Sequence, residues 1–477
     1  MNDIVHDIQK KDTILELRNL SVHTAENPIV FSVSLSVRRY EPFTLLGETG
    51  CGKSLLMHAI MGVLPPELHV VGEVWLDGCD LLTLSPAKRR ASWGRQLALL
   101  PQEPWLSLDP VMRVDRQVQE GLDIHSQDPA GGRSRARHLL AALGLGGYER
   151  AFPCQLSGGM AQRVAFAAAC AGGAEMVLAD EPTKGLDADH LRDVVALLAR
   201  KVEEGAGLLT ITHDIEVARL LGGRVAIMCE GNIVESGAVE AVLQHPVHPY
   251  TKKLVAAEPS HWPSFPPADI KNGDKPLICA QSVAVRKGRK IIIKDQDFQI
   301  RRGEIVGVTG PSGCGKSTFG DALLGLLQAD GGRVEQDKRY TPLRFQKIYQ
   351  DPPAAFPRHI TLGSAIDDLA RLHSFSAHDI RLWMDRLRLQ EELLERLPAQ
   401  ISGGELQRFA LLRVLLLEPV FLFADEPTSR LDLITQQEVM EILVHMARER
   451  DCALLLVSHH TEMVTRVADR VHQLATA

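Results

Sequence analysis

The chain repeats itself, and this constrains its fold more than any other feature. Gly47-Glu48-Thr49-Gly50-Cys51-Gly52-Lys53-Ser54 returns as Gly310-Pro311-Ser312-Gly313-Cys314-Gly315-Lys316-Ser317, 263 residues later (316 − 53). Leu156-Ser157-Gly158-Gly159 returns as Ile401-Ser402-Gly403-Gly404, 245 residues on (402 − 157). Ala179-Asp180-Glu181-Pro182-Thr183 returns as Ala424-Asp425-Glu426-Pro427-Thr428 at the same offset, and Thr212-His213 returns as Ser458-His459. Similar blocks in one order at nearly constant spacing imply two copies of one domain. The offset has fallen to 248 by Gln102 and Gln350 (350 − 102), so the second copy lacks a segment that the first carries near Glu73–Arg90.

We expect a first domain over 1–244, a His/Pro-rich tail and linker over 245–275, and a second domain over 276–477. The linker carries prolines at 246, 249, 259, 263, 266 and 267 and reads as a semi-rigid connector. Each domain opens with alternating apolar strands, Ile14–Val22 and Val30–Val37 in the first, Leu277–Val285 and Ile291–Ile300 in the second. A glycine loop and a helical stretch follow, Leu55–Leu64 or Thr318–Leu327. Strand, glycine loop and helix is the setting that a phosphate-binding loop requires.

The chemistry of that loop is simple. Glycines let the backbone curl until several N–H groups point at one anion, and the following helix adds its positive end. Lys53 and Lys316 then reach the phosphates, while the Ser54 and Ser317 hydroxyls face Mg²⁺. Cys51 and Cys314 read as small, tolerated loop residues. Met176–Asp180 and Val420–Asp425 are apolar runs suited to buried parallel strands, and each ends in two acids. Ligands of such sheets sit at the carboxyl ends of the strands. There Asp180 and Asp425 are expected to hold Mg²⁺, and Glu181 and Glu426 to polarise the attacking water. His213 and His459 follow the acids by 32 and 33 residues (213 − 181; 459 − 426), each after an apolar strand, and are expected to sense the terminal phosphate.

Composition excludes other classes. Net charge is −7 and aromatic residues are 5%, which does not fit a surface-wide nucleic-acid footprint or base-stacking platforms. No run of about 18 apolar residues is present to span a bilayer. The eight cysteines form no Cys-x-x-Cys pair, which argues against a zinc ribbon or redox dithiol and for a reducing compartment.

Taken together, these residues resemble the ATP-binding-cassette (ABC) ATPases, twice over and along nearly the whole chain. Leu156-Ser157-Gly158-Gly159-Met160 and Ile401-Ser402-Gly403-Gly404-Glu405 look like the signature that separates this family from other P-loop proteins. Gln102 and Gln350 match its glutamine loop, which touches Mg²⁺ and faces the transport partner. Gly185-Leu186-Asp187 and Arg430-Leu431-Asp432 match the loop after the acids. The resemblance implies an α/β fold of two P-loop domains in tandem. Each would have a mainly parallel core sheet, an antiparallel β subdomain and a helical signature subdomain. It implies ATP and Mg²⁺ as cofactors, and an intramolecular cassette dimer closing on two composite sites. One pairs Lys53, Ser54, Gln102, Asp180, Glu181 and His213 with Ser402, Gly403 and Gly404. The other pairs Lys316, Ser317, Thr318, Gln350, Asp425, Glu426 and His459 with Ser157, Gly158 and Gly159.

Finer features resemble the oligopeptide, dipeptide and nickel importers. Gln102-Glu103-Pro104-Trp105-Leu106-Ser107-Leu108-Asp109-Pro110 follows their glutamine-loop pattern, and Gln350-Asp351-Pro352 begins the second copy of it. His245-Pro246-Val247-His248-Pro249-Tyr250-Thr251 looks like the tail they carry after a cassette. Some relatives place an iron–sulfur cluster past that tail. No cysteine follows here until Cys279, so no cluster is expected. The implied function is the energy-coupling ATPase of an importer for peptides, nickel or a metal chelate (metallophore). Two transmembrane permease subunits and an extracytoplasmic solute-binding protein would be its partners. It would sit peripherally on the cytoplasmic face of the inner membrane, without nucleic acid. The alternative is a soluble tandem-cassette factor of translation or DNA repair, and its usual charged helical linker, zinc cysteines and coiled coils are missing. A sugar-importer fusion shares the tandem layout but not the glutamine-loop or His-Pro-Tyr features.

Departures from the family pattern are few. Leu55 stands where Thr is usual, and Thr318 keeps it in the second copy. His23 and Arg286 stand nearest the place of the usual adenine-stacking aromatic. Arg430 replaces a small residue and Met160 a polar one. Both glutamates and both histidines remain, so two competent hydrolytic sites are expected.

Overall fold

The computed structural model describes residues 12–102, 104–123, 129–184, 188–268, 275–288, 290–311, 313–429, 431–458 and 460–474. The chain divides into two compact units, Met1–Val255 and Ala256–Ala477. No helix among the described residues is long and apolar enough to cross a membrane.

In the first unit, ten strands build two sheets. They are β1 (Thr13–His23), β2 (Pro28–Arg38), β3 (Pro42–Leu46), β4 (His69–Leu76), β5 (Cys79–Asp80), β6 (Leu97–Leu100), β7 (Met176–Asp180), β8 (Gly207–Thr212), β9 (Arg224–Cys229) and β10 (Asn232–Ala238). The larger sheet has the order β10-β9-β3-β8-β7-β6, parallel except for β10 on β9. Every residue of β7 and β8 is buried, as strands covered on both faces must be, and their sequences are accordingly apolar almost throughout. The smaller antiparallel sheet runs β2-β1-β4-β5. Its Leu15, Leu17, Val30 and Val37 pack with Leu56, Met57 and Ile60 of helix Lys53–Met61 against Leu178 and Leu209 of the parallel sheet. A separate apolar cluster, including Val114, Val118, Ala136, Leu140 and Val164, joins helices Val114–Asp123, Pro129–Ala142 and Gly158–Cys170.

The second unit repeats this plan with β11 (Ile278–Lys287), β12 (Lys290–Ile300), β13 (Ile305–Thr309), β14 (Gly331–Gln336), β15 (Phe345–Ile348), β16 (Phe421–Asp425), β17 (Ala453–Val457) and β18 (Arg470–Gln473). Its parallel sheet runs β15-β16-β17-β13-β18 and its antiparallel sheet β12-β11-β14. Strand β5 and helix Pro86–Arg90 of the first unit have no counterpart between β14 and β15. That is where the sequence offset shortens.

The stretch between the domains divides between the units. On the first, the Glu235 carboxylate of β10 accepts hydrogen bonds from the N–H groups of Val247 (3.0 Å) and His248 (2.9 Å), which seats the helix Pro249–Ala256. On the second, Trp262 lies in the core at 2% exposure and donates its Nε1–H to Ala257 O at 2.8 Å. Asp469 accepts from Ala268 N (2.9 Å) and Ile305 N (2.7 Å) and forms a two-pronged pair with Arg448 (2.8 and 2.9 Å).

Candidate functional site

The strand order converges the expected residues. In the first unit β8 lies between β3 and β7, with Leu46 opposite Thr212 and Asp180 opposite Ile211. The glycine loop leaves the end of β3, Glu181 the end of β7 and His213 the end of β8. Parallel strands put these three carboxyl ends on one edge, which is where such sheets bind ligands.

The loop Gly47–Gly52 closes tightly. Gly52 caps helix Lys53–Met61 at φ 100°, a left-handed conformation that favours glycine. A Cβ on Gly47 would meet Met228 O at 2.2 Å. Lys53 is buried, and its ammonium donates to Gly47 O and Glu48 O, both at 2.7 Å. Thr49 and Gly50 are exposed at the loop's crest. Burial pushes the Cys51 thiol up, against the pull of Lys53, so this loop cysteine is a poor nucleophile. In the second unit Gly315 repeats the cap at φ 100°, and Lys316 donates to Gly310 O (2.8 Å) and Pro311 O (3.1 Å). Ser312 lies outside the described residues.

The two acids of each pair differ in setting. Asp180 and Asp425 end their strands, buried, and burial pushes both carboxyls up. The Ser54 hydroxyl hydrogen-bonds Asp180 and pulls it back, and Ser317 does the same for Asp425 at 3.1 Å, with Lys347 also pulling. Asp180 Oδ1 is buried with no hydrogen-bond partner. A buried carboxylate oxygen beside a serine hydroxyl and a phosphate loop fits a hard cation, which takes oxygen ligands and keeps several waters. Glu181 and Glu426 come next, at φ 47° and 52°, unusual for a non-glycine residue. Their N–H groups bond across to Ile211 O (2.8 Å) and Val457 O (3.0 Å), which fixes the turn.

Glu181 is held from two sides. His213 Nδ1 lies 2.8 Å from its Oε1, and Thr212 donates its hydroxyl to Oε2 at 3.3 Å. Burial opposes charge on Glu181, but His213 and Lys53 outweigh it, and the carboxyl lies below the ordinary glutamate range. Burial likewise opposes charge on His213, and Glu181 with Asp214 outweighs it and raises the imidazole. His459 lies outside the described residues.

Around the second loop, a cavity of about 560 Å³ is lined by Gly313, Gly315, Lys316, Ser317, Thr318, Gln350, Asp425 and Glu426. Arg286 and Ile292 border it from β11 and β12, so the residue standing in the usual aromatic position does face the space. Gln102 and Gln350 are both exposed just past β6 and β15.

The signature serines act as helix caps. Ser157 precedes helix Gly158–Cys170 and accepts from Met160 N at 3.4 Å. Ser402 precedes helix Gly403–Leu416 and forms a reciprocal box with Glu405, its hydroxyl donating to the carboxylate at 2.7 Å. Met160 has no group to return such a bond. Gly159 and Gly404 lie in the first turns, and the Gly185–Asp187 loop and Arg430 lie outside the described residues.

One pair of residues escaped the sequence reading. Gln162 donates its side-chain amide to Pro182 O, and Gln407 donates to Pro427 O and to Glu426 O at 3.2 Å. Both are buried. They tie each signature helix to the turn at Glu181 or Glu426. Their recurrence 245 residues apart (407 − 162) was the available signal.

Comparison with known proteins supports these observations. A family model described as ABC transporter matches residues 30–184 and 293–429. The peptidoglycan transport ATP-binding protein YejF of Agrobacterium fabrum is 34% identical over 96% of this chain and 90% of its own length. The glutathione import ATP-binding protein GsiA of Salmonella typhi is 31% identical over 93% of this chain and 81% of its own. Among solved structures, an RNase-L inhibitor covers 95% of this chain and 87% of its own with TM-score 0.65, but at 21% identity it speaks for the fold alone. With a doubled phosphate loop, paired acids at strand ends and a family match in both halves, the chain belongs to the ABC transporter family and is a two-cassette ATPase of it.

Proposed function

We propose that this chain is the energy-coupling subunit of a membrane importer, bound peripherally at the cytoplasmic face through two permease subunits that receive cargo from an extracytoplasmic binding protein. Peptide-class cargo is placed first. Relatives across nearly the whole chain are named for peptidoglycan transport and glutathione import, while nickel and metal chelates rest on the glutamine-loop and tail motifs alone.

The observation that carries the catalytic reading is the Glu181–His213 pair at the rim of the phosphate loop. In this reading the loop N–H groups and Lys53 or Lys316 hold the phosphates. Glu181 Oε takes the proton of the attacking water, and His213 keeps that carboxylate charged and aimed. Ser54, Gln102 and Asp180, with Ser317, Gln350 and Asp425 in the second cassette, are the residues that would hold Mg²⁺, which neutralises phosphate charge when bound. Each site would be completed by the signature of the other cassette, Ser402–Gly404 or Ser157–Gly159.

Docking to permeases is supported by the surface beside Gln102. Leu106 and Val111 are apolar and 71% and 81% exposed within ten residues of it.

The test is isolation of the tagged chain from detergent-solubilised membranes of its own host, with the Glu181→Gln/Glu426→Gln variant to slow turnover. Co-isolation of permeases, and ATPase activity raised by them in proteoliposomes, is expected. Recovery of ribosomes or DNA instead, with nucleic-acid-stimulated turnover, would establish the soluble-factor alternative.

A further inference from the structure

The cavity of about 560 Å³ at the second phosphate loop has two chemically different linings. The loop, Gln350 and the two acids supply one. Val285, Arg286 and Lys287 of β11, Ile292 of β12 and Leu327 belong to the other. The fold sets this second group beside the loop. A Cβ on Gly315 would meet Ile292 Cγ2 at 2.6 Å, so β12 packs directly on the loop. Asp330 N donates to Ala284 O at 2.8 Å, and Arg286 N donates to Asp330 Oδ2 at 2.6 Å. These bonds lay the segment that carries Leu327 along the end of β11.

In this group only Arg286 and Lys287 have polar side-chain atoms, and every one of those atoms is a donor. Both residues are exposed, and among the described residues neither side chain has a hydrogen-bond or ion-pair partner. The Asp330 carboxylate takes the Arg286 backbone N–H and does not line the cavity. A guanidinium stacks on the face of any purine. The purine edge is more selective. Adenine presents N7 as an acceptor and its amino group as a donor, whereas guanine presents N7 and O6, both acceptors. Donors alone can satisfy both guanine atoms but leave the adenine amino group without a partner.

We propose that Arg286 and Lys287 determine base choice at the second cassette, so that its cavity takes GTP at least as tightly as ATP. This rests on the reading that the loop holds a nucleoside triphosphate. With the phosphates on Lys316 and the loop, the base extends to the lining from β11, β12 and Leu327. Ile292 and Leu327 give it apolar contact without reading its edge. The two cations supply the edge contacts, and their donors match guanine better than adenine.

The experiment uses the full chain with Lys53→Ala, which isolates the second site. Dissociation constants are measured for ATP and GTP labelled on the ribose with one fluorophore, and for inorganic tripolyphosphate by displacement. The GTP constant is expected to equal the ATP constant or fall below it. Adding Arg286→Ala and Lys287→Ala should raise the ratio of the GTP constant to the ATP constant roughly fivefold. Tripolyphosphate should bind that variant as before, which shows that the loop is intact and that the cations act on the base. ATP held clearly more tightly than GTP by the Lys53→Ala chain overturns the proposal. So does an unchanged or smaller ratio after both cations are removed, and so does a loss of tripolyphosphate affinity in parallel with both nucleotides. Failure of that chain to bind either nucleotide overturns instead the reading beneath it, that the second loop holds a nucleoside triphosphate.

Discussion

His213 Nδ1 and Glu181 Oε1 lie 2.8 Å apart, both largely buried, at the carboxyl ends of adjacent strands. Each shifts the other's charge equilibrium, and the signs are opposite. Glu181 is depressed, so its contribution is present above the ordinary glutamate value of 4.5 and lost as pH falls through the depressed one. His213 is raised, so its contribution is full below the ordinary 6.5 and lost as pH rises through the raised value. The pair is strongest between those ordinary values. The His213 ring-proton NMR titration should have its midpoint above 6.5, and Glu181→Gln should lower it, because burial and Lys53 are then opposed by Asp214 alone. An unmoved midpoint would disconnect the two residues. Turnover at that site should fall roughly 10²- to 10⁴-fold in the same variant.

Tyr250 extends the first phosphate loop's support into the tail. Its hydroxyl accepts the Glu48 N–H at 3.1 Å, and burial pushes the phenol up, keeping it neutral. The second loop has Pro311 at this position, which offers no N–H. Tyr250→Phe should weaken ATP analogue binding at the first site by about 1 kcal/mol, roughly fivefold, and leave the second unchanged. Titration in the Lys316→Ala and Lys53→Ala backgrounds separates the two.

Gln407 is fully buried and serves two backbone carbonyls of the turn at Glu426. Gln407→Ala should destabilise the second unit by about 2 kcal/mol, since the carbonyls lose their partner away from water. Hydrogen exchange should quicken around residues 425–429 before other parts of the unit. Uniform quickening would reduce Gln407 to an ordinary core residue.

Asp469 gathers Arg448, Ile305 N and Ala268 N around one carboxylate. Asp469→Ala strands a half-buried guanidinium and should cost about 3 kcal/mol. Calorimetry should show the second unit's transition falling by roughly 6–12 °C, with the first unit's transition in place.

The parts of the site that repeat were legible in the sequence. Loop, acids and signature recur at fixed offsets, and apolar runs ending in Asp-Glu announce buried parallel strands. The strand order was not legible: that β8 lies between β3 and β7, so that His213 meets Glu181, emerges only in the fold. What stayed hidden depends on register and long-range packing. Lys347 is one charge in a short strand, and only its pairing opposite Phe423 aims it at Asp425. Tyr250 meets Glu48 across 202 residues of chain. Gln162 and Gln407 look like helix-surface residues until the helix is seen buried against the following turn.

The left-handed backbone at Glu181 and Glu426 has a consequence for how such cassettes decay. Drift away from glutamate passes first through a conformational sieve. Asparagine, aspartate and glycine accept positive φ readily, whereas valine, isoleucine and threonine resist it. A cassette that has lost hydrolysis but kept its fold should therefore carry one of the first group here. Finding a β-branched residue at this position would signal that the turn itself had been rebuilt.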